Sequence, residues 1–140
     1  MISKKNNRIS EINVGDNLPE LSIPITVALI TGGALATRDY FPGHHDKDAA
    51  QASGTPHIFM NILTTNALVQ RYVEEWAGNG ARLKDLKIKL GMPNYPGDTM
   101  LFKGEVTHID SEANNVVVSI AGKNSMGTHV SGTVLMSLPA

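Results

Sequence analysis

The chain has 140 residues, which is enough for one compact domain and leaves little room for a second hydrophobic core. Its nearly balanced charge, 12 Lys and Arg against 13 Asp and Glu, shows no cationic stripe and argues against a nucleic-acid-binding surface. Cys is absent and no apolar run reaches the roughly 18 residues of a spanning helix, so we expect a cytoplasmic protein without disulfides or a membrane span.

Residues 1–13 are predicted to form a flexible leader, and residues 14–140 are predicted to form the folded domain. The leader is basic, but no apolar segment follows it, so it does not have the pattern of a signal peptide. The domain begins with a turn-rich segment at Val14–Glu20. A strand is predicted over Ile23–Leu29, with Pro24 near its start, where a missing N–H is best tolerated.

The longest helix is predicted over His57–Ala77. Apolar residues recur in it at helical spacing, and its first half is apolar on nearly every side, so we expect that half to be buried. Gly78 follows directly and is a typical helix stop. The preceding segment, Thr31–Asp48, contains glycines, a proline and many polar residues, and is predicted to be a loop or a broken helix that carries chemistry.

The chain after this helix reads as strands separated by hairpin turns. Alternating and β-rich patterns predict them at Leu86–Leu90, Met100–Ile109, Asn115–Ala121 and Gly127–Leu138. Without helices between the later strands, they should pair antiparallel. We therefore predict an α+β fold, in which an antiparallel sheet of about five strands curls around one long central helix. This arrangement is the hot-dog architecture.

Asp39 and His44 are the strongest candidates for chemistry. They lie five positions apart across a Pro-Gly bend, which can turn a carboxylate and an imidazole toward one small volume. Such a pair can share the acid and base work of adding water to a double bond. Spacing alone leaves an alternative open, in which Asp39 caps a turn and His44 is solvated. No metal site is expected around His45 and Asp46, because no zinc-ligand spacing is completed.

The segment Thr37–His44 resembles the hydratase signature of MaoC-like dehydratases, with Asp39, Pro42 and His44 matching the pattern. Phe41 stands where the signature has an asparagine that orders the loop. The run Phe59–Thr64 resembles the start of the family's central helix. Two longer stretches are similar to the small subunits of heteromeric steroid side-chain enoyl-CoA hydratases, namely Ile58–Thr64 and Val69–Gly78.

This resemblance implies an enoyl-CoA hydratase that adds water to an α,β-unsaturated acyl-CoA, with Asp39 and His44 as its catalytic pair. Coenzyme A would be part of the substrate, and no separate cofactor is expected. Asn61 aligns with the family's glycine, whose backbone N–H polarises the thioester carbonyl. Helix N-termini offer such free donors, although a polar helix-start contact explains Asn61 equally well.

Three further residues are candidates for binding substrate: His45, Lys87 and Lys89. The two lysines are candidates for the phosphates of coenzyme A, although a solvated strand face is the commoner explanation for such residues. His108 and His129 fall in predicted strands and are interpreted as surface or internally satisfied histidines.

Two other functions stay open, and both keep the hot-dog fold. A hot-dog thioesterase usually carries its carboxylate on or near the central helix, but the predicted helix has no acidic residue before Glu74. A non-catalytic acyl-CoA-binding subunit would have a disrupted Asp/His pair, and here both residues are present. Hot-dog domains join edge to edge, so we expect a homodimer or a heteromer with a second MaoC-like chain. The last strand has few charges to guard an edge and is the predicted interface.

Overall fold

The computed structural model describes residues 5–140. Five strands form a single sheet, β1 (Asn17–Pro24), β2 (Arg82–Leu90), β3 (Thr99–Asp110), β4 (Asn115–Asn124) and β5 (Gly127–Ser137). Three α-helices accompany them, α1 (Val27–Ala36), α2 (Lys47–Ala52) and α3 (Ile62–Ala77). The strand order across the sheet is β1-β3-β4-β5-β2, and every neighbouring pair is antiparallel.

The core lies between α3 and one face of the sheet. Helix α3 buries Val69 and Val73 completely, at the helical spacing that makes one continuous stripe. The strands supply alternate residues to the same core, such as Val116 and Val118 of β4. The predicted α+β hot-dog fold, with one long helix held by an antiparallel sheet of five strands, is confirmed. Within residues 5–140, no helix is long and apolar enough to cross a membrane.

Helix α3 begins at Ile62, so the predicted start at His57 is wrong by five residues. Asn61 has extended backbone angles, and its side chain accepts a hydrogen bond from the Thr64 N–H, which makes it the N-cap. The expectation of burial on nearly every side of the first half is also wrong. Ile62 and Leu63 are 51% and 47% exposed, so the first turn presents apolar side chains to solvent.

The chain near its start also differs from the prediction. Strand β1 occupies Asn17–Pro24. It therefore begins inside the predicted turn-rich segment, Val14–Glu20, and ends near the start of the predicted strand, Ile23–Leu29. Residues of the predicted strand belong instead to α1, because Thr26 caps that helix and accepts a hydrogen bond from the Leu29 N–H. The predicted loop or broken helix at Thr31–Asp48 therefore contains the second half of α1.

Part of the predicted leader packs on the domain. Residues 1–4 lie outside the described residues. Ile9 and Ile12 are buried in the core, and the Asn7 N–H donates to the Ala77 carbonyl at the end of α3. Because these contacts tie the segment to the helix end, residues 7–12 are not a flexible leader.

The edges of the sheet are β1 and β2, each of which pairs with one other strand among the described residues. The prediction that the last strand forms the exposed edge is wrong, because β5 lies between β4 and β2. Its low charge reflects an interior position, where cross-strand neighbours on both sides satisfy its backbone. Any edge-to-edge partner must therefore meet β1 or β2.

Candidate active site

The site forms where the end of α1 meets the start of α3. Thr37 follows the last turn of α1, and its hydroxyl donates to the Gly33 carbonyl. Arg38 then takes a left-handed conformation with φ of 54°, which reverses the chain and ends the helix. The next residue, Asp39, is anchored because its N–H donates to the Ala34 carbonyl. The turn thus presents the Asp39 side chain toward the start of α3.

The structure brings Asp39 and His44 together, with Oδ2 of Asp39 3.3 Å from Nε2 of His44. His44 is buried, with 6% of its surface exposed, whereas the Asp39 side chain is 31% exposed. The carboxylate is therefore the solvent-facing member of the pair. Nδ1 of His44 lies 2.6 Å from the Phe59 carbonyl oxygen. Because a carbonyl accepts hydrogen bonds, Nδ1 carries the proton and donates, and Nε2 is the nitrogen that faces the carboxylate.

Aromatic side chains enclose the imidazole of His44. The Phe59 ring meets it edge-on at a centroid distance of 4.8 Å, and the Phe41 ring does so at 5.4 Å. Phe41, which stands where the family signature has an asparagine, is 52% exposed. The imidazole is therefore held by packing and by one backbone carbonyl, with a single nitrogen directed at Asp39.

Two donors bind the carboxylate of Asp39. The side-chain amide of Asn61 donates to Oδ2 at 3.0 Å, and the Phe41 N–H donates to Oδ1 at 3.2 Å. These bonds, with the Asn61 bond as the largest cause, hold the pKa of Asp39 below its ordinary value. At neutral pH the group is a carboxylate that can accept a proton.

Asn61 contributes its side chain to this site. Nδ2 donates to Asp39 and also to the Thr37 hydroxyl at 2.9 Å, while Oδ1 accepts from the Thr64 N–H at 2.9 Å. The backbone N–H of Asn61 has no hydrogen-bond partner among residues 5–140. Its predicted role as the oxyanion donor remains a prediction.

The other substrate-binding candidates lie apart from the pair. His45 is next to His44 in sequence, but its Nε2 is 2.7 Å from the Asp39 carbonyl oxygen, so it contacts the loop backbone. Lys87 and Lys89 are exposed on β2, and Lys87 pairs with Asp85 at 3.5 Å. Among the described residues, no hydrogen bond or ion pair joins either lysine to Asp39 or His44. Their proposed contact with coenzyme A stays a prediction.

Some contributors to the site were missed by sequence reasoning. The Phe59 carbonyl orients His44, and the hydroxyl of Thr37 accepts from Asn61. Neither carries a sequence signal of its own, because one is a backbone atom and the other depends on contact between α1 and α3. In the described part of the chain, no group of three or more His, Cys, Asp or Glu side chains could hold a metal ion.

The fold and this site define a hot-dog protein in which an Asp/His pair from the preceding segment lies beside the start of the central helix. The sequence matches the family described as MaoC like domain over residues 13–127. The chain therefore belongs to the MaoC-like dehydratase family of enzymes, which confirms the resemblance in the sequence.

Its relatives include a subunit of a steroid-CoA enzyme. The 3-oxo-4,17-pregnadiene-20-carboxyl-CoA hydratase beta subunit of Mycobacterium tuberculosis is 46% identical over 125 residues, covering 89% of this chain and 95% of that subunit. A chain in the crystal structure of the ChsH1–ChsH2 complex from the same organism is 45% identical, with a TM-score of 0.87 over 90% of this chain and 98% of that one. R-hydratase PhaJ1 from Pseudomonas aeruginosa agrees in fold, with a TM-score of 0.88 at 20% identity over 96% of this chain and 86% of its own.

Proposed function

We propose that this chain is the catalytic subunit of a heteromeric enoyl-CoA hydratase that acts on a steroid side-chain acyl-CoA. The observation that carries the proposal is the intact pair of Asp39 and His44, 3.3 Å apart, with the imidazole oriented by a backbone carbonyl. A subunit without catalytic function would have no need for a pair arranged in this way. The substrate class is proposed from the 46% identity to a subunit of the steroid-CoA hydratase.

The proposed reaction moves one proton. A water molecule that donates hydrogen bonds to both the carboxylate of Asp39 and Nε2 of His44 attacks the β-carbon, and one of its protons passes to the pair. The electrons of the double bond shift toward the thioester, which leaves an enolate. The α-carbon then takes a proton from the pair, so that water has been added across the double bond and both groups are restored.

The enolate oxygen needs a donor while it carries negative charge. The backbone N–H of Asn61 stands at the N-terminus of α3, where the helix dipole also favours an anion, and it has no other partner in residues 5–140. We assign it to the thioester oxygen. This role uses the main chain, so it is independent of what the Asn61 side chain contacts.

The surface beside the site favours an assembly with a second chain. Ile62 and Leu63 expose apolar side chains on the first turn of α3, and Tyr40 and Phe41 are 68% and 52% exposed on the segment between α1 and α2 that carries Asp39 and His44. Several large apolar side chains exposed around one site are typical of an interface. The edge strand β2, which contacts α3, offers unpaired backbone groups to a partner strand. We propose a second MaoC-like hot-dog chain as the occupant.

The test measures loss of the absorbance of the α,β-unsaturated thioester with 3-oxo-4,17-pregnadiene-20-carboxyl-CoA and with crotonyl-CoA. The chain is assayed alone and after co-expression with MaoC-like proteins encoded beside it. We expect activity on the steroid thioester in the complex, and its loss by about a hundredfold or more when Asp39 is changed to Asn in this chain. An active complex in which Asp39→Asn changes nothing would make this chain a non-catalytic subunit. Release of the free thiol of coenzyme A, with the carbon–carbon double bond retained in the acid product, would identify a thioesterase.

A further inference from the structure

We propose that the side chain of Asn61 is a positioning residue for the catalytic carboxylate, in addition to being the cap of α3. It fixes which oxygen of Asp39 faces His44 and keeps that oxygen in place. This inference rests on the proposed hydratase function, and it concerns the amide side chain rather than the backbone N–H already assigned to the thioester.

The hydrogen bonds of the amide determine its orientation. Oδ1 accepts from the Thr64 N–H, and a backbone N–H can only donate, so Nδ2 must point the other way. That nitrogen has two protons, and each finds an acceptor, Oδ2 of Asp39 at 3.0 Å and Oγ1 of Thr37 at 2.9 Å. Asn61 is 4% exposed, so solvent does not compete for these bonds. The amide is thus fully satisfied in one orientation and in no other.

The groups around the amide are themselves anchored. The Thr37 hydroxyl, which accepts from Nδ2, donates to the Gly33 carbonyl within α1. The Thr64 N–H belongs to the first turn of α3. The Asn61 side chain is therefore anchored to α1 through Thr37 and to α3 through Thr64. Because both of its ends are anchored, the amide can hold a further group in place. Asp39 is that group, and it lies on a turn between elements.

The contact falls on the oxygen that matters for the chemistry. Oδ2 is the oxygen 3.3 Å from Nε2 of His44, and the Phe41 N–H binds the other oxygen. Without the amide, rotation about the last side-chain bond of Asp39 would be limited only by the Phe41 N–H and by the contact with His44 itself, among the described residues. Donation from Asn61 also favours the ionised carboxylate, which is the form that accepts a proton from water.

Asn61→Ser separates this role from capping. Serine is as good an N-cap as asparagine, so α3 should keep its start, but its hydroxyl is too short to reach Asp39. In the complex, with 3-oxo-4,17-pregnadiene-20-carboxyl-CoA as the probe, we expect kcat to fall about ten- to a hundredfold, the scale of a misplaced reacting group. The acid limb of the kcat/KM profile should move to higher pH, because the bond that lowers the pKa of Asp39 is gone. Asn79→Ser, at an exposed loop position after α3, is the matched control and should match wild type.

A second measurement does not depend on turnover. The carboxyl carbon of Asp39 is titrated by NMR in wild type and in Asn61→Ser, and the inference requires a higher pKa in the variant. Asn61→Asp, which also caps helices but places a second carboxylate beside Asp39, should raise that pKa as well. If the pKa and kcat of both variants equal those of wild type, the positioning role is wrong while the proposed function stands. If wild type hydrates neither thioester, the proposed function fails, and the titration still decides the contact.

Discussion

At the scale of single residues, two neighbouring histidines have different partners. His44 is oriented by the Phe59 carbonyl and directs Nε2 at Asp39, whereas His45 contacts the Asp39 carbonyl oxygen through its own Nε2. The first imidazole can take part in proton transfer, and the second can support the turn that carries the carboxylate. The two substitutions should therefore differ in size and in kind.

We predict that His44→Ala lowers kcat by about a hundredfold or more, the usual range for losing a general acid or base. His45→Ala should lower it by about tenfold at most, because Asp39 keeps its other contacts. Steady-state assays of both purified variants on the same enoyl-CoA measure the difference. A larger loss in His45→Ala than in His44→Ala would move the catalytic role to His45.

Tyr72 is a second residue with a specific consequence. Its ring stacks on Phe102 at a centroid distance of 5.0 Å, and its buried hydroxyl has no hydrogen-bond partner among the described residues. Burial raises the pKa of Tyr72 to about 12. A buried donor without a partner destabilises the fold by about 1–3 kcal/mol.

Tyr72→Phe should therefore increase the free energy of unfolding, by about 1 kcal/mol, since it removes the hydroxyl and keeps the stacked ring. Tyr72→Leu should decrease it, since the aromatic contact with Phe102 is lost. Urea unfolding of the three proteins tests both directions. A less stable Tyr72→Phe would mean that the hydroxyl has a partner in solution.

At the scale of elements, the close approach of α1 to α3 assembles the site. A Cβ at Gly33 would collide with Oγ1 of Thr64, on the first turn of α3. Glycine at this position therefore lets the two helices come near enough for Asn61 to reach both Thr37 and Asp39. The next residue toward the N-terminus of α1, Gly32, has open space at the same place.

This difference makes a matched pair of substitutions. Gly33→Ala should lower the free energy of unfolding by about 1–3 kcal/mol, the range for overpacking, and should lower kcat because α1 moves away from Asn61. Gly32→Ala should raise stability by about 0.5–1 kcal/mol, as alanine does inside a helix, and leave kcat unchanged. Thermal unfolding and the hydration assay test both. Equal behaviour of the two variants would mean that the helices tolerate a wider spacing.

The pattern of the sequence was sufficient for most of the fold. Period-two alternation located β2 to β5 to within a few residues, and apolar spacing located α3. The start of α3 was missed because Ile58, Phe59 and Met60 continue the apolar pattern although they precede the cap at Asn61. Helix α1 was missed because its apolar and glycine residues lack helical periodicity, and its cap at Thr26 was read as part of a strand.

The candidate site was predictable in part. The spacing of Asp39 and His44, with the family signature, was enough to predict that they meet, and they lie 3.3 Å apart. The side-chain bond from Asn61 to Asp39 was not predicted, because it spans 22 positions and depends on how two helices pack. Local spacing carries no information on such a contact.

At the scale of the whole molecule, one buried histidine of the sheet contacts both the central helix α3 and the segment that follows β2. His129 of β5 lies between the Thr65 hydroxyl, 2.8 Å from Nε2, and the Met92 carbonyl, 2.6 Å from Nδ1. Both His108 and His129 were interpreted as surface or internally satisfied residues; His129 is internally satisfied and His108 is exposed. Burial lowers the pKa of His129 below 6.5, so the folded protein holds it neutral.

Stability should therefore decrease in mild acid. Above pH 6.5 the residue is neutral in both folded and unfolded chains and has no effect. As pH falls below 6.5, the unfolded chain binds the proton first, so the free energy of unfolding drops by at most about 1.4 kcal/mol per pH unit from this group, until the folded pKa is reached. Urea unfolding between pH 7.5 and 5.5 should show this slope in wild type. The slope should shrink in His129→Gln and persist in His108→Gln; an unchanged slope in the former would assign the effect elsewhere.

The dual use of Asn61 also links catalysis to motion. The ends of helices open locally at a much lower free energy than global unfolding requires. Each opening of the first turn of α3 would withdraw the amide from Asp39, so the active fraction of molecules follows a local equilibrium rather than overall stability. On warming, activity should therefore be lost at a lower temperature than the one at which the core unfolds. A partner seated on Ile62 and Leu63 would suppress this fraying, and would thereby activate a site to which it need not contribute a single catalytic atom.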